Sequence, residues 1–131
     1  MQKTRHLRKN ERGQTMVEFT LVLPVLLIVL FGIIQFGLTF NNYVALTDAV
    51  RAGARTAAVS RFSASPLNDT VSRVKTSSND LDPTKVNVTV TASWTQGSDV
   101  VVKATYPYSI SLLGVVVASG TLSSQTTERV E

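Results

Sequence analysis

The sequence predicts an α+β fold with a long N-terminal helix, a short second helix and a small antiparallel sheet of about three strands. Three observations lead to this prediction. Residues 19–47 contain no Asp, Glu, Lys or Arg, and residues 19–40 are mostly large and apolar. Small side chains then recur every four residues as far as Ala57. After residue 85, two stretches suit strands, the first with strict apolar–polar alternation.

The apolar segment at residues 19–40 is long enough to span a membrane, because about 20 apolar residues cross a hydrocarbon core of about 30 Å. The apolar region of a signal peptide is shorter, about 7–15 residues, and ends in small residues. The one A-x-A sequence, at residues 52–54, lies well beyond the apolar run. We therefore predict a retained transmembrane segment within a helix at residues 14–60, whose amphipathic second half emerges and packs on other elements.

The net charge of +4 is concentrated at the N-terminus. Before Gly13 the only acidic residue is Glu11, and five residues are basic: Lys3, Arg5, Arg8, Lys9 and Arg12. The rest of the chain carries eight basic and eight acidic residues. A basic head beside an apolar span follows the positive-inside rule, so we predict a cytoplasmic N-terminus and an outer C-terminus. The same distribution argues against a nucleic-acid partner.

The emerged half of the long helix has two notable faces. Arg51 and Arg55 share one face, which is either solvated or contacts a partner or an anionic headgroup. Four small residues share another face, and close approach of the protein's own sheet or of a neighbouring helix would explain them. These four are Ala45, Ala49, Gly53 and Ala57.

Residues 61–131 are predicted to form a small outer domain. A short helix at 66–76 begins at Pro66, a residue favoured at the first helical position. Strands are expected at about 85–94, 99–108 and 120–130. In the first strand, alternation places one set of side chains toward the emerged helix: Val86, Val88, Val90 and Trp94. The apolar stretch at 112–117 has two interpretations, the core of this domain or a surface against a membrane or partner.

The composition excludes several kinds of site. The chain has no cysteine, and its single histidine, His6, lies in the basic head. Disulfides, Cys/His metal clusters and a histidine-activated nucleophile in the outer domain are therefore excluded. No carboxylate pair suited to catalysis stands out. We predict a protein that is not an enzyme and that has no cofactor, metal or small-molecule substrate.

Residues 13–18 carry a recognisable pattern, a glycine that ends a basic leader followed by QTMV and Glu18 at the fifth position after the glycine. This pattern resembles type IV prepilins. More narrowly, "RGQTMVEFTLVLPVLLIVLFGIIQFG" followed by "LTDAVRAGARTAAV" resembles the TadE family of pilin-like proteins. The resemblance implies that residues 1–13 are a cytoplasmic leader. A membrane-embedded aspartyl prepilin peptidase would cut between Gly13 and Gln14.

The resemblance further implies a minor pilin or pseudopilin of the Tad, or Flp, pilus or secretion machinery. Such a protein would lie in the bacterial inner membrane, interact with other pilin-like subunits and Tad assembly components, and support adhesion or biofilm formation. Glu18 would then accept the Gln14 amine of a neighbouring subunit, because an unpaired carboxylate in apolar surroundings is costly. The alternative is an uncleaved single-pass envelope protein that binds another envelope component.

Overall fold

The computed structural model describes residues 11–131 and confirms the predicted α+β fold. The basic residues of positions 1–10 lie outside the described part of the chain. Helix α1 spans Glu11–Val59 and is followed by a short 3-10 helix, Ser60–Phe62, and by helix α2, Pro66–Ser77. Strands β1 (Asn87–Ala92), β2 (Asp99–Leu112) and β3 (Val115–Arg129) form one antiparallel sheet in the order β1-β2-β3.

Helix α1 has 49 residues and is therefore about 74 Å long. Its first half keeps polar groups satisfied within the helix. The hydroxyl of Thr20 donates to the carbonyl oxygen of Met16 at 2.8 Å, and the hydroxyl of Thr39 donates to that of Gln35 at 2.9 Å. Such bonds let threonine lie in an apolar segment without an unpaired donor.

The core lies between the second half of α1, helix α2 and one face of the sheet. Strand β2 alternates, so that Val100, Val102 and Ala104 are fully buried while Lys103 between them is exposed. Side chains of α1 cover this face of the sheet. Those fully buried in α1 are Leu46, Ala49, Val50, Ala54 and Ala57.

Several strand boundaries differ from the sequence-based expectation, and β2 continues to Leu112 where an end near residue 108 was expected. Strand β3 begins at Val115 and not near residue 120, because the apolar residues 115–118 continue the ladder with β2. Strand β1 ends at Ala92, and Trp94 lies beyond it with a φ of 55°, half-buried against the core. The interpretation of residues 112–117 as buried core is wrong. They form the β2–β3 hairpin tip, with Leu113 and Val115 to Val117 exposed.

Gly53 sets the distance between the two helices. A Cβ at this position would overlap Cγ2 of Val74 and lie 3.5 Å from the carbonyl oxygen of Thr70, both in α2. Val74 is fully buried and its β-branched side chain has little freedom to rotate away. The close packing of α1 on α2 therefore requires a residue without a side chain at position 53.

We expect Gly53→Ala to destabilise the outer domain by about 2 kcal/mol. Overpacking costs up to about 3 kcal/mol, and the better helix propensity of alanine returns about 1 kcal/mol. Denaturant unfolding in detergent, followed by Trp94 fluorescence, measures the change. Adding Val74→Ala to the same chain removes the overlapping methyl group, so in that background Gly53→Ala should be neutral to stabilising by up to about 1 kcal/mol. An equal cost of Gly53→Ala in both backgrounds would contradict the proposed overlap.

Candidate processing and assembly site

Gly13 lies in the first turn of α1 and is exposed. A Cβ placed on it would meet no atom within 4 Å, so no packing among the described residues requires glycine there. Glycine within a helix costs about 0.5–1 kcal/mol relative to alanine. Gly32 and Gly37 are equally open. What distinguishes Gly13 is its position, directly after the basic head and five residues before Glu18.

Glu18 is exposed on the surface of α1, one helical turn after Gln14. The side-chain amide of Gln14 donates to Oε1 of Glu18 over 3.2 Å. A carboxylate can accept several hydrogen bonds, so this neutral partner leaves room for a second donor. The rise of a helix puts the two residues about 6 Å apart along its axis. Glu18 can therefore accept a donor from a neighbouring chain without losing the bond to Gln14.

The helix that carries these residues is largely uncovered by the described part of the chain in its first half. No part of its most apolar window is buried by the rest of the described chain, and α1 is long and apolar enough to cross a membrane. Large side chains are exposed along it from Met16 to Phe40. Such a surface is stable in lipid or against other apolar helices, and is unfavourable in water.

The small-residue face of α1 is covered from within the same chain. Ala49, Gly53 and Ala57 are buried and Ala45 is half-buried, with Gly53 directly against α2. Sequence reasoning missed the adjacent line of the same face, formed by Leu46, Val50 and Ala54. Their spacing of four residues is the signal that would have identified them.

Arg51 and Arg55 are both exposed on the outer side of α1. Arg51 approaches Asp48, with 3.5 Å between Nη1 and Oδ1, and each of these side chains is more than 60% exposed. A pair this exposed contributes little to stability. Both guanidinium groups are therefore accessible to a partner.

A groove of about 420 Å³ separates α1 from the sheet near the middle of the helix, and sequence reasoning did not identify it. Gln35 and Asn42 line one side, and Tyr106 and Tyr108 of β2 line the other. The groove marks the level at which the hairpin passes the end of the apolar segment. Its lining comes from residues far apart in the chain, so no local pattern predicts it.

The clearest electrostatic feature of the outer domain is in the loop before β1. Hydrogen bonds from the hydroxyl and the backbone N–H of Thr84, at 2.6 and 3.0 Å, and the nearby ammonium group of Lys85 lower the pKa of Asp82. Because the pKa of Asp82 is lower in the folded chain than its ordinary value, this carboxylate stabilises the fold at pH values above that ordinary value. The contribution is lost as the pH falls through the lowered pKa.

Among the described residues, no group of three or more His, Cys, Asp or Glu side chains is placed to hold a metal ion.

Comparison with known proteins identifies the segment that contains the candidate site. A family model described as TadE-like protein matches residues 13–55, about a third of the chain. Neither the curated proteins nor the solved structures that were compared gave a match. The matched segment begins at Gly13, includes Glu18 and the bare apolar helix, and ends at Arg55. The resemblance predicted from the sequence is thus confirmed for residues 13–55, the segment that is similar to TadE-like proteins.

Proposed function

We propose that this protein is a pilin-like minor subunit, or pseudopilin, of a Tad/Flp-type pilus or secretion machinery. In this role it is cleaved after Gly13 and supports pilus assembly, adhesion or biofilm formation. The observation that carries the proposal is the TadE-like match, which starts at Gly13 and covers the exposed apolar half of α1.

Processing requires a membrane-embedded prepilin peptidase to hydrolyse the peptide bond between Gly13 and Gln14. The exposure of Gly13 and the open space around it suit a site that an enzyme must reach. Because the bond lies in the first turn of α1, only the helix end has to open for cleavage. Hydrolysis leaves a carboxylate on Gly13 and a protonated amine on Gln14, which then begins the mature helix.

Assembly places the new amine beside a carboxylate of another subunit. The exposed apolar surface of α1 allows helices of several pilin-like subunits to pack together. In that apolar bundle, the carboxylate of Glu18 accepts the Gln14 amine of its neighbour. An unpaired buried charge is strongly unfavourable, so this pair fixes how far one subunit is displaced along the next. Arg51 and Arg55 extend the accessible surface toward further Tad components.

The charge distribution sets the orientation in this proposal. The basic residues before Gly13 stay in the cytoplasm, and the domain at residues 61–131 lies outside the inner membrane. This orientation presents the cleavage site at the cytoplasmic face and the sheet to the envelope.

N-terminal sequencing of the protein from purified membranes and from sheared surface material tests the proposal. We expect Gln14 as the first residue in at least the membrane fraction. In the same cells converted to spheroplasts, added protease should degrade residues 61–131 and leave the span. Recovery of the mature protein in the sheared surface material would distinguish a subunit that is incorporated into the filament from one that acts in the membrane. A chain that begins at Met1 in both fractions would favour the uncleaved envelope protein instead.

A further inference from the structure

We propose that the tip of the β2–β3 hairpin inserts into the outer leaflet of the bilayer that α1 spans. The tip is formed by residues 112–118 and is apolar throughout except for its turn glycine. Leu113 is 78% exposed, and Val115, Val116 and Val117 are 66%, 60% and 56% exposed. This inference rests on α1 crossing a membrane, and it does not depend on cleavage or on assembly.

The hairpin runs along α1 toward the apolar half of the helix. Its open end lies at the C-terminal end of α1, where the backbone N–H of Glu131 donates to the carbonyl oxygen of Ala58 at 2.9 Å. Farther along, Tyr106 and Tyr108 face Gln35 and Asn42 across the groove. From Val100 to Tyr108 a strand covers about 26 Å, and from Ala58 to Asn42 a helix covers about 24 Å. The hairpin therefore runs alongside α1 over this distance, toward the N-terminal end of the helix.

Beyond Tyr108 the hairpin continues by four residues to Leu112, which is about 13 Å. Along α1 the same distance is about nine residues, which leads from Asn42 to about residue 33, well inside the apolar segment at residues 19–40. The hairpin matches this segment in composition, because residues 104–127 also contain no Asp, Glu, Lys or Arg. The tip thus reaches the depth of the apolar helix without bringing a charge with it.

Two tyrosines stand where the hairpin would enter the membrane. Tyr106 and Tyr108 lie at the level of Asn42, where α1 becomes polar, and tyrosine is enriched at membrane–water interfaces. Gly120 faces Tyr108 across the ladder, and a Cβ there would lie 3.0 Å from its ring and hydroxyl. The glycine therefore leaves room for the Tyr108 ring to lie over the strand.

The turn residue itself favours an apolar environment. Leu113 and Gly114 have φ values of 50° and 85°, the sign pattern of a type I′ turn, for which Asn-Gly is preferred. A left-handed conformation is unfavourable for a residue with a side chain as large as that of leucine. In water, asparagine at this position would adopt the left-handed conformation more readily and would not expose an apolar side chain. Burial of the leucine side chain in acyl chains offsets this cost.

The insertion is shallow. Among the described residues, β1 pairs with β2 only as far as Thr105, so the backbone groups nearer the tip lack a strand partner on that side. Unpaired backbone groups are excluded from the hydrocarbon core. The side chains of the tip therefore reach the upper acyl region, while the backbone stays among headgroups and water.

Single-cysteine labelling tests this placement, since the chain has no cysteine of its own. Val116→Cys places an environment-sensitive fluorophore at the tip, and Leu26→Cys places it in the apolar half of α1. Val59→Cys is the matched control, because this valine is 63% exposed and lies at the opposite end of α1. Each full-length variant is reconstituted at one copy per nanodisc of phosphatidylcholine and phosphatidylglycerol. Quenching by spin-labelled lipids and by aqueous iodide is then measured.

The label at position 116 should be quenched by spin-labelled lipid and shielded from iodide, as at position 26, whereas the label at 59 should show the reverse. Adding Leu113→Asn, which suits the turn, should reduce lipid quenching at 116. Iodide quenching at 116 equal to that at 59 would overturn the inference. Shielding of the label at 116 from iodide that appears only in discs with two copies would overturn it as well. Lack of lipid quenching at 26 would overturn both the span and the insertion, independently of which residue begins the mature chain.

Discussion

Gly13→Ile is expected to leave the protein at its full-length mass in membranes. The peptidase must bring the main chain next to its catalytic carboxylates, and a β-branched side chain at the cut obstructs this approach. A misplacement of about 1 Å lowers rates on the order of 100-fold, so the unprocessed form should predominate. Insertion and folding should be unaffected, because a Cβ at position 13 would meet no atom of the described residues within 4 Å. Intact-mass measurement of the purified membrane protein gives the cleaved fraction.

Gly37→Ile is the matched control for this substitution. Gly37 lies in the same helix and is equally open, so the same side chain is added to the same segment away from the cut. The control should be cleaved like the parent protein. If Gly13→Ile is trimmed normally, the bond after Gly13 is not the processing site, and the uncleaved envelope protein becomes the better proposal.

The fold was largely predictable because its elements have regular periods. An uncharged apolar run, a four-residue spacing of small residues and strict alternation each correspond to one kind of element. The boundary of β3 was not predictable on this basis. Residues 115–117 are three valines in succession, exposed at the hairpin tip, and such a run looks the same in a buried strand. Hydrophobicity alone does not reveal whether protein or lipid covers a side chain.

The contacts of the candidate site residues likewise fall into a predictable group within one helix and an unpredictable group between elements. The bond between Gln14 and Glu18 joins residues four apart and follows from the helix itself. The closeness of Gly53 to Val74 depends on where α2 docks, and a helix sequence does not contain that information. The groove between Asn42 and Tyr106 likewise depends on the path of the hairpin. Local contacts could be inferred, and contacts between elements required the structure.

The strongest effect on assembly is expected from Glu18. Glu18→Gln keeps an oxygen that can accept the Gln14 amide but removes the charge, whereas Glu18→Leu removes both. A protein that acts alone would gain slightly from either change, because a carboxylate in a span costs up to about 3 kcal/mol and less near the interface. A subunit would lose, since the amine of its neighbour would remain without an anion in low dielectric.

Leaving one partner of a buried ion pair costs about 3–5 kcal/mol, so association should weaken by about 100-fold or more in both variants. Insertion and cleavage after Gly13 should persist, because neither needs the neighbouring subunit. Co-purification with other pilin-like subunits and recovery in sheared surface material measure the loss. Asp99→Asn is the control, because it removes an exposed carboxylate whose Oδ1 lies 3.9 Å from Nε of Arg129. This substitution should leave co-purification and recovery in sheared material unchanged. Variants of Glu18 that mature and co-purify like the parent would show that the carboxylate does not join subunits.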